Sequence, residues 1–86
     1  MDVDTADALA LVRAREWTAN GTARRIREGA RLSQREVAAV IGVSNGCVSL
    51  WEAGDRLPRG EPGLRYAQLL GALVESRGAP PCASTS

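Results

Sequence analysis

The side chains in this chain that can do chemistry are arginine guanidiniums and one short polar run. All eleven cationic residues are arginine; lysine and histidine are absent. Arginine presents a planar fork that matches phosphate oxygens and the guanine edge. Residues 22–59 hold seven of them, Arg24, Arg25, Arg27, Arg31, Arg35, Arg56 and Arg59, against Glu28, Glu36, Glu52 and Asp55. That local excess is larger than the net +1 of the whole chain. An all-arginine content is what a GC-rich genome produces, so the clustering is the more informative fact. The polar run is Ser44-Asn45-Gly46, with Ser49 one helical turn further on. Hydroxyls and amides of this kind hydrogen-bond base edges or phosphates, and an Asn amide can pair with both exposed groove groups of adenine.

Catalysis lacks its usual parts. Without histidine, general-base and triad schemes have no ordinary proton carrier. Lone Ser, Cys and carboxylate groups have nothing to activate them, so an enzyme is not expected. Cys47 and Cys82 are too few and too far apart for a disulfide framework, and both are expected to be free thiols. No group of Cys, Asp and Glu has metal-ligand spacing, so neither metal nor cofactor is expected. No run approaches the ~20 apolar residues that span a bilayer. The start, MDVDTADALALV, is acidic where a signal peptide would be basic. The expectation is a soluble cytoplasmic protein with no membrane partner and no small-molecule ligand.

The elements that must position these groups are helical. The 86 residues suit one small domain. Apolar residues make up 44 %, Phe is absent, and Trp17, Trp51 and Tyr66 are the aromatic residues. Leu, Val, Ile and Ala must then build the interior, which suits helix–helix packing. A first helix is expected over residues 4–18, with Val3, Ala6, Ala10, Ala14 and Trp17 on one face and Asp4 or Thr5 as cap. Leu9, Leu11 and Val12 fall outside that stripe, so this helix is buried on more than one side or meets a partner chain. Asn20-Gly21 ends it. A second helix is expected over 22–31, with Ile26 and Ala30 inward. Ser33-Gln34-Arg35-Glu36 forms a capping box for a third helix, and Leu32 is placed to staple onto Val37. That helix runs to about residue 41, where Gly42 turns the chain. Ser44 caps a fourth helix, and Gly54 closes it. A last helix is expected over 62–76, with Leu64, Ala67, Leu70, Leu73 and Val74 inward. The end, GAPPCASTS, reads as a disordered tail. The organisation expected is an N-terminal helix over 1–21 for packing or dimerisation, a binding domain over 22–77, and a tail over 78–86.

Residues 34–53, QREVAAVIGVSNGCVSLWEA, thus read as helix, tight turn and helix. Ala38 sits at a close crossing, Gly42 at the turn, and Val48 and Trp51 on the core face of the second helix. That is the pattern of a DNA-reading helix-turn-helix. Residues 22–73, through IREGARLSQREVAAVIGVSNGCVSLWEAGDRLP and YAQLLGAL, resemble the Cro and lambda-repressor-like family. The resemblance implies an all-α fold of five short helices around one core, with the helix from Ser44 as the recognition helix. The extra N-terminal helix is not a family feature.

By family position, Ser44, Asn45, Gly46, Ser49 and Leu50 face the groove. Asn45 is the best base reader, and Gly46 lets the backbone approach closely. Leu50 departs from the long polar side chain of many members; it suits thymine methyl groups or a protein interface. Gln34, Arg35 and Arg56 are implied phosphate contacts, with Arg24 and Arg59 the weaker assignments. Arg27 and Glu52 match positions that join the preceding helix to the end of the recognition helix, which implies a partly buried ion pair. Cys47 reads as a small filler.

The leading expectation is a sequence-specific transcription regulator of double-stranded DNA, a Cro-like phage or prophage repressor. Two modules on one dimer multiply their affinity, so a homodimer on a palindromic operator is expected. The alternatives are a protein-interaction module, such as an antitoxin, and an excision or architectural DNA protein.

Overall fold

The computed structural model describes residues 5–78. Five helices run through them: α1 (Thr5–Asn20), α2 (Thr22–Gly29), α3 (Gln34–Ile41), α4 (Asn45–Ala53) and α5 (Gly60–Gly78). The expectations for Val3, Asp4, Cys82 and the tail beyond residue 78 lie outside the described residues.

The turn that sets α4 against α3 is built by local hydrogen bonds. Ser33 Oγ accepts from the Glu36 N–H (3.0 Å), and the Glu36 carboxylate accepts from the Ser33 N–H (2.8 Å), so the expected capping box is present. Such a cap stabilises a helix start by about 1 kcal/mol. α3 stops at Gly42, whose φ of 83° is left-handed backbone that a Cβ would disfavour. The N–H groups of Gly42 and Val43 both donate to the Ala38 carbonyl. Ser44 then caps α4, its Oγ accepting from the Cys47 N–H (3.1 Å).

α2 ends two residues earlier than the pattern suggested. Arg31 adopts a left-handed φ of 62°, with its N–H donating to the Glu28 carbonyl and the Leu32 N–H to the Arg27 carbonyl. This is a Schellman ending, with arginine where glycine is usual. It unwinds the chain so that Leu32 packs against the core.

Small residues let the helices approach. Ala14, Ala23, Val37, Ala38, Ile41, Val48, Trp51, Tyr66, Ala67 and Leu70 form one buried cluster. α1 shares it, packing on α5, α2 and α4. Within α1, Ala14 and Thr18 are buried, and the Thr18 hydroxyl is satisfied by the Arg15 carbonyl (2.9 Å). Ala6, expected inward, is exposed; the first fully buried residue of α1 is Ala14. Leu9 and Val12 face outward at 64 % and 48 % exposure.

α5 starts at Gly60, ahead of the expected Pro62, and the missing N–H of Pro62 costs nothing in a first turn. Ala67 and Leu70 are buried and Leu64 and Leu73 half-buried. Val74, expected inward and one turn past the buried Leu70, is 36 % exposed. Tyr66 was not among the expected inward residues of this helix, yet it is one of the largest fully buried side chains. Its ring packs on Trp51 with centroids 4.7 Å apart.

The Tyr66 hydroxyl is buried and has no hydrogen-bond partner among the described residues. Burial pushes its pKa up from the ordinary 10.0, the nearby Glu52 charge adds to this, and Arg27 opposes it. An unpaired buried hydroxyl is unfavourable, so Tyr66→Phe should raise stability by about 1 kcal/mol at neutral pH. The folded pKa lies above the unfolded one, so the unfolded chain loses its proton first. Stability should therefore fall as pH rises above about 10. Urea midpoints near pH 8 and pH 11 should drop less in Tyr66→Phe than in the parent; equal drops would remove Tyr66 as the cause.

Candidate nucleic-acid interface

The outward face of α4 follows from its inward one. Val48 and Trp51 point into the core, which leaves Asn45, Gly46, Ser49 and Leu50 exposed. Leu50 is 40 % exposed, an apolar group in a polar face. A Cβ on Gly46 would have only Ser44 Oγ nearby, at 3.9 Å, so this stretch of α4 has an open surface. Ser44 is exposed, but its Oγ is occupied as the helix cap.

Beside this face lies a cleft of about 440 Å³ lined by Arg27, Ser33, Gln34, Arg35 and Asn45. It brings the start of α3 next to the start of α4. A side chain that can read a base thus stands beside residues that can hold a phosphate. Arg35 is exposed and has no ion pair among the described residues.

Behind the cleft, one buried network ties three helices together. Arg27 Nε donates to Glu52 Oε2 and Arg27 Nη2 to Glu52 Oε1 (3.0 Å), a two-bond fork. Arg27 Nη1 donates to the Leu32 carbonyl (2.8 Å). Gln34 Nε2 also donates to Glu52 Oε1 (3.0 Å). The Glu52 side chain is 4 % exposed and that of Arg27 10 %. The Arg27 pKa is raised, chiefly by the hydrogen bond to Glu52. Desolvation opposes the attraction in such a pair. Its clearest consequence is orientation: α4 is held to α2 and α3 at its carboxyl-terminal half. Gln34 therefore has a donor committed to the fold, which the family-based assignment as a phosphate contact did not include.

The remaining arginines divide. Arg24 Nε bonds Glu28 (3.0 Å) within α2, an exposed pair between side chains 65 % and 52 % accessible. It is not among the residues lining the clefts beside α4. Arg56 and Arg59 lie in the loop after α4, exposed, and line a second cleft with Arg15 and Leu57. A smaller neighbouring space adds Val43, Cys47, Trp51 and Pro62. Cys47 is half-buried there. Arg15 and Pro58 had no local signal in the sequence, because their contact is long-range.

Residues 24–73 match the family described as Helix-turn-helix. The match spans more than half of the chain, contains α3 and α4 entirely, and leaves α1 outside. The chain belongs to the Cro and lambda-repressor-like helix-turn-helix family, and its class is that of a DNA-binding transcription regulator. No curated protein and no solved structure matches it significantly.

Proposed function

We propose that the protein is a sequence-specific repressor of the Cro-like phage or prophage type, acting in the cytoplasm as a homodimer on a palindromic operator. The observation that carries this reading is the exposed face of α4, Asn45, Ser49 and Leu50, beside the cleft of Gln34 and Arg35. α4 enters the major groove, Asn45 reads a base, and Arg35 and Arg56 grip phosphates. Few direct hydrogen bonds are available, so DNA shape contributes to specificity. Leu9 and Val12 on α1 and Val74 on α5 are exposed apolar groups on two helices that pack together, which suits a dimer surface. A selection of random duplexes on the purified chain tests the reading. It should return one consensus with inverted half-sites about one helical turn apart; recovery of no consensus would reject it.

Asn45→Ala and Arg56→Ala separate the two kinds of contact. The first should relax discrimination at one base pair by about tenfold, and the second should weaken all duplexes alike. Binding titrations on the selected site and on single-base variants give the answer.

The exposure of Leu50 favours a second reading, a protein-interaction module of antitoxin type. Phosphate contact makes DNA affinity fall steeply with salt. Affinity indifferent to both salt and sequence would favour the interaction module.

A further inference from the structure

Three guanidinium groups from distant parts of the chain line one cleft. Arg15 comes from α1, Arg56 and Arg59 from the loop between α4 and α5, and Leu57 lines the same space of about 410 Å³. Among the described residues the lining carries no carboxylate. None of the three arginines has an ion pair among the described residues. Like charges so gathered repel, and an anion between them converts that repulsion into attraction.

Arg15 is held in place by the fold. Its Nε donates to the Pro58 carbonyl (2.9 Å), and Pro58 is itself fully buried. The guanidinium is thereby anchored through one donor, which leaves both terminal nitrogens for a ligand. A fork with its orientation already set loses little freedom when it meets a phosphate. The cleft also adjoins the recognition helix: Arg56, Leu57 and Arg59 line a neighbouring space together with Cys47 and Trp51 of α4. A helix seated in the major groove has a phosphate backbone along each side.

We infer that Arg15, Arg56 and Arg59 form one phosphate-binding cleft that takes the DNA backbone alongside α4. Arg15 lies outside residues 24–73, so α1 adds a backbone contact to those of the matched segment. The inference rests on the DNA-binding reading above.

Anisotropy titrations of the full chain with a mixed-sequence duplex, across a range of salt, test it. In Arg15→Gln the slope of log affinity against log salt should be shallower by about one contact, with affinity roughly 3- to 10-fold lower at low salt. Arg15→Lys keeps the charge and should keep the slope. Arg13→Gln is the matched control. It removes the same charge from the same helix, but its guanidinium sits over the Trp17 ring at 4.8 Å and does not line the cleft. It should bind with the parent slope. Arg59→Gln, which loses no hydrogen bond within the described residues, should reproduce the loss even if Arg15→Gln melts too low to assay. Parent slopes in both Arg15→Gln and Arg59→Gln would overturn the cleft while leaving DNA binding intact. A parent whose affinity ignores salt would instead overturn the DNA reading itself. Inorganic pyrophosphate that raises the melting temperature of the parent but not of Arg15→Gln, with DNA slopes unchanged, would assign the cleft to a free anion and overturn the backbone assignment.

Discussion

Glu52→Ala should lower the unfolding free energy by about 3–5 kcal/mol. The carboxylate is almost fully buried and takes both fork donors of Arg27 and the amide of Gln34. Its removal leaves the Arg27 guanidinium desolvated, with one remaining bond to the Leu32 carbonyl and a distant 3.8 Å approach to Glu28. Gln34 is half-exposed and can turn to water, so Arg27 carries most of the cost. A domain of this length holds about 4–13 kcal/mol in all. The variant should therefore be marginal at room temperature. The double variant Arg27→Met, Glu52→Leu separates the two meanings of that loss. Replacing a buried pair by apolar groups of similar size is often neutral, so the double variant should recover most of the stability. It should not recover full DNA affinity, because the fork that orients α4 is gone. Urea unfolding followed by tryptophan fluorescence measures the first effect and anisotropy the second. A single-variant loss under about 1 kcal/mol would mean that water reaches the pair.

Local sequence alone encodes part of this molecule. Ser33 and Glu36 are three residues apart and can only cap one helix start. Gly42 and Ser44 end one helix and open the next. Val48 and Trp51 share a face through helical period alone. Groups joined across the fold leave no such local trace; the Arg27–Glu52 pair, 25 positions apart, is implied only by the family resemblance. The Arg15 to Pro58 contact spans 43 positions and uses a backbone carbonyl that every residue possesses. Tyr66 was hidden for a different reason. Its hydroxyl argues for a surface position, but the ring fills space against Trp51 and the hydroxyl has no partner among the described residues. Arg31 breaks a rule that sequence reading relies on, taking the left-handed position where glycine is usual, and α2 stops early as a result. Val74 keeps the apolar period of α5 but stays 36 % exposed. Periodicity reports a face; it does not report how deeply each position on that face is buried.

Gly63→Ala should destabilise the protein by about 1–2 kcal/mol, against the direction that helix propensity gives. Alanine in place of glycine within a helix is favourable by about 1 kcal/mol. Gly63 lies inside α5 and is buried, so propensity alone would call the change stabilising. A Cβ there would stand 2.6 Å from the Pro58 carbonyl carbon and 3.3 Å from its oxygen. Those are backbone atoms, which no rotamer change can move. Pro58 cannot retreat easily, since it is buried and its carbonyl is held by Arg15. Overpacking of this kind costs about 1–3 kcal/mol, occasionally more, and here it exceeds the propensity gain. Gly71→Ala provides the contrast. Its Cβ would come within 2.7 Å of Arg13 Nη2, the free end of a long side chain that can swing aside. That variant should stay near parental stability while Gly63→Ala falls. Displacing Pro58 also moves the loop that carries Arg56 and Arg59, so the salt slope of DNA binding should become shallower in Gly63→Ala even where the chain is folded. A Gly63→Ala protein at least as stable as the parent would show that α5 and this loop stand further apart than described, and the anchoring of the arginine cleft would lose its basis.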